Sequence, residues 1–122
     1  MHSLPLAPTR SAWIEAYRQH NLERMAAAEA DDFLCITNGI ATAKQARLHS
    51  LKRAWAVCPR PVLDFTEEAT LEQHADHCHV RGEALLLRDG QPAGRTLFEE
   101  QWQRVEGGWR IQRLECTTRY HR

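Results

Sequence analysis

Two clusters in this chain carry residue types that do chemistry: the carboxylates Glu99-Glu100 and the run His74-Ala75-Asp76-His77-Cys78-His79. Paired carboxylates serve general acid–base catalysis only when both reach one substrate. Here the two are adjacent in a strand-like segment, and neighbouring strand residues point to opposite faces. At most one can enter an interior. A carboxylate such as Glu99, enclosed in apolar surroundings, would have its pKa raised and could exchange a proton near neutrality. Arg110 or Arg113 could instead neutralise it as a structural ion pair. The histidine run invites a metal. In a strand His77 and His79 share a face while Cys78 points away, so the face offers two ligands where a site needs at least three. Neither Glu72 nor Asp76 is placed to add the third, and no metal site is predicted. The pair reads as solvated or interfacial.

The cysteines, Cys35, Cys58, Cys78 and Cys116, are widely spaced and form no C-x-x-C pair. They read as four buried, reduced thiols of a cytoplasmic protein rather than a disulfide framework or a zinc site. The chain has 122 residues, 43% hydrophobic and 26% charged, which bounds it to one globular domain with one core. Sixteen basic residues balance sixteen acidic ones, and Lys44 and Lys52 are the only lysines. No segment gathers positive charge into a stripe, which argues against nucleic acid as a partner. Residues 1–8 lack a basic region and a long apolar run, and no stretch approaches the length of a membrane span. The expectation is a cytoplasmic protein without a membrane partner.

The elements that must position these residues follow in two blocks. Residues 1–9 read as a Pro-containing tail, and residues 10–122 as the domain. Thr9 or Ser11 can cap a first helix over 12–19, with Trp13, Ile14, Ala16 and Tyr17 on its apolar side. Asn21 caps a second helix over 22–30. A strand over 33–37 closes at Asn38-Gly39, a strong turn pair. Thr42 with Gln45 has capping-box spacing for a third helix to about Ala56, stopped by Cys58-Pro59-Arg60-Pro61. Four strands follow, over 62–72, 76–87, 95–105 and 109–119, with turns at Asp89-Gly90 and Glu106-Gly107-Gly108. Helices first and hairpins afterwards predict an α+β fold with an antiparallel sheet.

Three segments together resemble the nuclear transport factor 2-like superfamily, the cone fold of SnoaL-like cyclases and ketosteroid isomerases. They are Trp13-Ile14-Glu15-Ala16 with Asn21-Leu22-Glu23 and Ala30-Asp31-Asp32-Phe33; Asn38-Gly39 followed by Lys44; and Phe98-x-x-x-Trp102-x-Arg104 with Gly107-Gly108-Trp109-Arg110-Ile111. The resemblance covers residues 10–119. It implies a cystatin-like cone, a strongly bent antiparallel sheet whose concave side holds the N-terminal helices and a pocket, and a homodimer through the outer face of the sheet. Phe98 and Trp102 share one face of their strand, with Leu97, Glu99 and Gln101 on the other. Placed on the outer face, Phe98 and Trp102 would form an apolar patch of the kind that marks an interface.

The same resemblance allows an isomerase test. The isomerase tyrosine falls on Trp13, its base on Thr37, and its third group on Gln101 or Glu99 according to the turn used as anchor. An indole is not an acid and a threonine is not a base near pH 7, which argues against ketosteroid isomerase activity. This register turns Cys35, Thr37, Cys78, Val80, Ala84, Leu86, Leu114, Cys116 and Thr118 inward, with Trp13 and Tyr17 facing them and Trp55 at the rim. The predicted ligand pocket is therefore Trp13, Tyr17, Thr37, Trp55, Val80, Gln101, Leu114 and Cys116, small and apolar, without a cofactor. The leading expectation is a SnoaL-like protein that binds a small hydrophobic molecule. The alternatives are an enzyme of isomerase, cyclase or dehydratase type with Glu99 as its acid–base group, and a dimeric interaction module whose cone is filled.

Overall fold

The computed structural model describes residues 4–58 and 64–121. Helix α1 (Ala7–Arg18) starts five residues before the sequence pattern indicates, because Pro8 sits in its first turn, where its missing N–H costs nothing. Leu6, assigned to the tail, is fully buried. Neither Thr9 nor Ser11 caps the helix, since both lie inside it. Arg10, Trp13 and Ala16 recur at helical spacing and form its buried face. His20 then adopts a left-handed φ of 58°, and Asn21 caps α2 (Leu22–Ala28) by accepting the Arg24 N–H at 3.1 Å.

Strand β1 (Glu29–Thr37) begins four residues before the predicted strand, in place of the end of α2. Asn38 and Gly39, at φ 49° and 83°, make a tight turn into β2 (Ile40–Ala43). Thr42 belongs to that short strand, so the expected capping box does not form, and α3 (Lys44–Val57) starts without a side-chain cap. Strands β3 (Asp64–Gln73), β4 (His77–Arg88), β5 (Gln91–Val105) and β6 (Gly108–Tyr120) complete the chain. Of the expected strand over 62–72, residues 62 and 63 lie outside the described residues.

The six strands form one curved sheet in the order β2-β1-β6-β5-β4-β3. It is mixed rather than antiparallel throughout: β1 pairs with β6 in parallel, Cys35 beside Leu114 and Thr37 beside Cys116. Cross-strand pairing fixes which residues share the concave face. Cys78 lies opposite Trp102, Val80 opposite Glu100, Phe98 opposite Cys116 and Phe65 opposite Leu86. Phe98 and Trp102 are therefore inside, 7% and 1% exposed, and cannot supply the dimer surface expected of them. Trp102 packs edge-on against Trp13 with centroids 5.5 Å apart, and Phe33, Met25, Trp109 and Ile111 complete the core. A register irregularity between Gln101 and Trp102 lets β6 keep both Leu114 and Ile111 turned inward.

Gly82, opposite Phe98 on β4, sits where the neighbouring strand and the Phe98 ring leave no room for a side chain. A Cβ there would lie 2.7 Å from the tip of the Phe98 ring and would collide with the backbone carbonyl of Glu68. Because the carbonyl is backbone, it cannot step aside. Gly82→Ala is expected to destabilise the fold by ~1–3 kcal/mol in chemical denaturation; an unchanged midpoint would show that the sheet is not held this tightly.

Candidate functional site

A cavity of ≈390 Å³ opens between α1, α3 and the concave face of the sheet. Its apolar wall comprises Trp13, Ile14, Tyr17, Leu51, Phe65, Ala84, Leu86 and Leu114. Thr37, Thr96, Thr118, Cys35 and Cys116 add small polarisable groups along β1, β5 and β6. The Thr96 and Thr118 hydroxyls bond one another at 2.8 Å, and Cys35 Sγ lies 3.7 Å from Thr37 Oγ1.

One end is polar. Arg10 donates from Nε to Glu100 Oε1 at 2.8 Å and from Nη2 to Glu100 Oε2 at 2.7 Å. The same guanidinium donates to Glu67 from Nη1 at 2.5 Å and from Nη2 at 3.1 Å. The Trp102 indole N–H completes the arrangement, donating to Glu100 Oε1 at 2.8 Å. The planar fork thus joins β3 to β5 through α1, geometry that a lysine cannot reproduce. Burial works against the Arg10 charge, but hydrogen bonds and charge from Glu100 and Glu67 outweigh it and raise its pKa above the usual range. Glu100, with both oxygens occupied, is a structural anion and not a free base.

A second polar group lies behind Trp13. Glu29, completely enclosed, accepts from the Trp13 indole at 3.0 Å and from Arg47 Nη1 at 3.1 Å, both through Oε2. Its Oε1 has no hydrogen-bond partner. Lys44 Nζ donates to the carbonyls of Ala26 and Glu29 at 3.0 and 2.9 Å, tying the start of α3 to the end of α2.

Among the residues predicted for the pocket, Trp13, Tyr17, Thr37, Leu114 and Cys116 line the cavity. Val80 is inward but fully buried in the core beyond it. Trp55 stacks on His20 at 4.2 Å, with Tyr17 at 5.8 Å, outside the cavity's own wall. Gln101 and Glu99 point the other way. Gln101 is exposed, and Glu99 is 57% exposed with His79 3.9 Å away. Neither can act within the cone, because β5 presents its even-numbered residues inward. His77 is exposed beside Asp76 at 2.7 Å, and hydrogen bonding to it holds the Asp76 carboxyl below its ordinary value. No group of three metal-ligating side chains occurs among the described residues.

Sequence reasoning passed over Arg10, Arg47 and Glu67, and of the pair Glu99-Glu100 it turned the wrong one inward. The available signal was the alternation along β5, where Thr96, Phe98, Glu100 and Trp102 face uniformly polar or exposed residues one step out of phase. Cys58 is exposed, not buried. Desolvation pushes the Cys116 thiol up to about 12, reinforced by Cys35, and raises Cys78 as well, so neither is a nucleophile at neutral pH.

No protein-family model and no curated protein sequence matches the chain. Solved structures do. It is similar to a protein of unknown function with a cystatin-like fold from Nostoc punctiforme (12% identity, 98% of this chain and 96% of that one, TM-score 0.77). A nuclear transport factor 2-like protein of unknown function from Pseudomonas putida aligns at 15% identity over 91% and 82%, TM-score 0.78. One from Rhodospirillum rubrum, of unknown function in nutrient uptake, aligns at 20% over 95% and 99%, TM-score 0.74. The chain has the nuclear transport factor 2-like, cystatin-like cone fold.

Two outcomes follow from the buried charges. Arg10→Met should cost ~3–5 kcal/mol in chemical denaturation, because it strands Glu100 without its counterion; a loss below ~1 kcal/mol would mean that the pair does not hold the cone. The Cys116 pKa is raised on folding, so its contribution is complete below about pH 8.5 and is lost as pH climbs toward 12. The wild type should therefore lose more stability than Cys116→Ala between pH 9 and pH 11, and parallel losses would contradict this assignment.

Proposed function

We propose that the protein binds a small hydrophobic molecule in the cone cavity and needs no cofactor to do so. The observation that carries this reading is the space itself: ≈390 Å³ walled by Trp13, Tyr17, Phe65, Leu86 and Leu114, which the described side chains leave unfilled. Small-molecule sites are concave, mostly apolar and about this size or larger. A filled interaction module would have packed this space to the density of the surrounding core.

The enzyme alternative loses its acid–base group with Glu99 on the outer face, and Glu100 is engaged by Arg10 and Trp102. Homodimer formation stays part of the proposal. With Phe98 and Trp102 inside, pairing would use the outer face around Leu97, which is 59% exposed. No helix among the described residues is long and apolar enough to cross a membrane. We place the protein in the cytoplasm, where thiols such as Cys35 and Cys116 stay reduced.

Thermal unfolding in the presence of a panel of aromatic and lipid-like compounds tests the reading, because binding to the native state raises the transition temperature. At least one apolar compound should stabilise the wild type, and Ala84→Phe, which places a ring in the cavity, should abolish that shift. Stabilisation that persists undiminished in a folded Ala84→Phe variant would move binding out of the cone.

A further inference from the structure

Arg47 and Tyr17 stand on α3 and α1 on the cavity wall, and the described residues leave most of their donors unused. A guanidinium carries five N–H donors. Among the described residues, the acceptor that Arg47 bonds is Glu29 Oε2, through one nitrogen at 3.1 Å. Its side chain is only 14% exposed, and its guanidinium lies 5.6 Å from the centre of the Phe33 ring, so it is held in place rather than waving in solvent. The Tyr17 hydroxyl bonds no protein group among the described residues. Its electrostatic neighbours are Arg47, Tyr120, Cys116 and Cys35, all on the cavity wall. Tyr17 is 39% exposed, and the desolvation it does undergo raises its pKa, with Arg47 pulling the other way, so it remains a hydroxyl donor at neutral pH.

Arg47 is paired with one carboxylate through one hydrogen bond, whereas Arg10 is engaged by two carboxylates through four. The Arg10 guanidinium is occupied by Glu67 and Glu100, and those carboxylates repel an anion from that end. Arg47 and Tyr17 thus offer unused donors, Glu67 and Glu100 stand at the Arg10 end, and a further lining carboxylate, Asp64, is exposed and faces Arg18 at 3.9 Å. An acceptor with no charge would engage the donors weakly, whereas a carboxylate meets a cation and a hydroxyl together, the strong form of the interaction.

Resting on the cone-binding reading above, we infer that the ligand is an apolar monocarboxylate, its carboxylate held by Arg47 and Tyr17 and its hydrocarbon body lying against Trp13, Phe65 and Leu86.

Calorimetric titration of the full chain at pH 7.5 with octanoate, 1-naphthoate and their primary amides tests this. The amides keep the shape and the carbonyl but not the charge. At least one carboxylate should bind about tenfold or more tightly than its amide, the value of one charge-assisted hydrogen bond. Tyr17→Phe should erode that preference while leaving amide binding nearly unchanged. Because Arg47 also faces the enclosed Glu29, its removal is made together with the acid, as Glu29→Gln/Arg47→Met, and this pair should abolish the preference in a folded protein. Equal binding of acids and amides, or a preference that survives both variants, overturns the inference and leaves the cone-binding reading standing. If neither acids nor amides bind, and the thermal panel is also silent, the cone-binding reading falls and the inference with it.

Discussion

The contact on which the rest depends is the fork between Arg10 and the carboxylates of Glu100 and Glu67. Glu100 lies on β5 with 2% of its side chain exposed, and a charge so placed is tolerable only when paired and fully hydrogen-bonded. Arg10 supplies that partner from the first helical turns, and in doing so fixes how α1 crosses the sheet. Once Arg10 is set, Trp13 must meet Trp102 one turn later, and Tyr17 a turn beyond must overlook the far end of the cavity. Because the guanidinium reaches across β4 from β3 to β5, it also sets how sharply that part of the sheet is bent. Gly82, under the Phe98 ring, removes the side chain that would resist the bend.

Much of the architecture was legible in the chain. The Asn38-Gly39 and Asp89-Gly90 turns mark hairpins because both residues of each pair adopt positive φ, a demand that few dipeptides meet. The register implied by the resemblance to the cone fold turns Cys78, Val80, Leu114 and Cys116 inward, which is where the structure has them. The parity of β5 failed. A strand has only two possible phases, and both faces of this one carry bulk, so bulk alone could not choose. Charge should have decided it: Glu99, Gln101 and Gln103 need water, whereas Glu100 is one acid that a cross-domain arginine can satisfy. That arginine is 90 residues away, on a segment read as the edge of a tail, and no local pattern announces such a pair. The parallel pairing of β1 with β6 escaped for the same reason, since it joins the two ends of the chain.

The fold itself is shared with proteins of 12–20% identity, and at that distance it is a frame and not a function. Function must be read from how the cavity is furnished. Among the described residues, the buried carboxylates are engaged by Arg10 or by Arg47 and Trp13, the lining carboxylate Asp64 is exposed beside Arg18, and the thiol of Cys116 is held protonated. The cavity's resources are an apolar wall, the engaged guanidinium of Arg10 and the partly free donors of Arg47 and Tyr17.

That account is tested most directly by nuclear Overhauser contacts between a saturating apolar ligand and the methyl groups of the labelled protein. Contacts to the methyls of Ala84, Leu86 and Leu114, with none to Leu97 on the outer face, are the predicted result. Contacts confined to Leu97, or to no inward methyl at all, would contradict it.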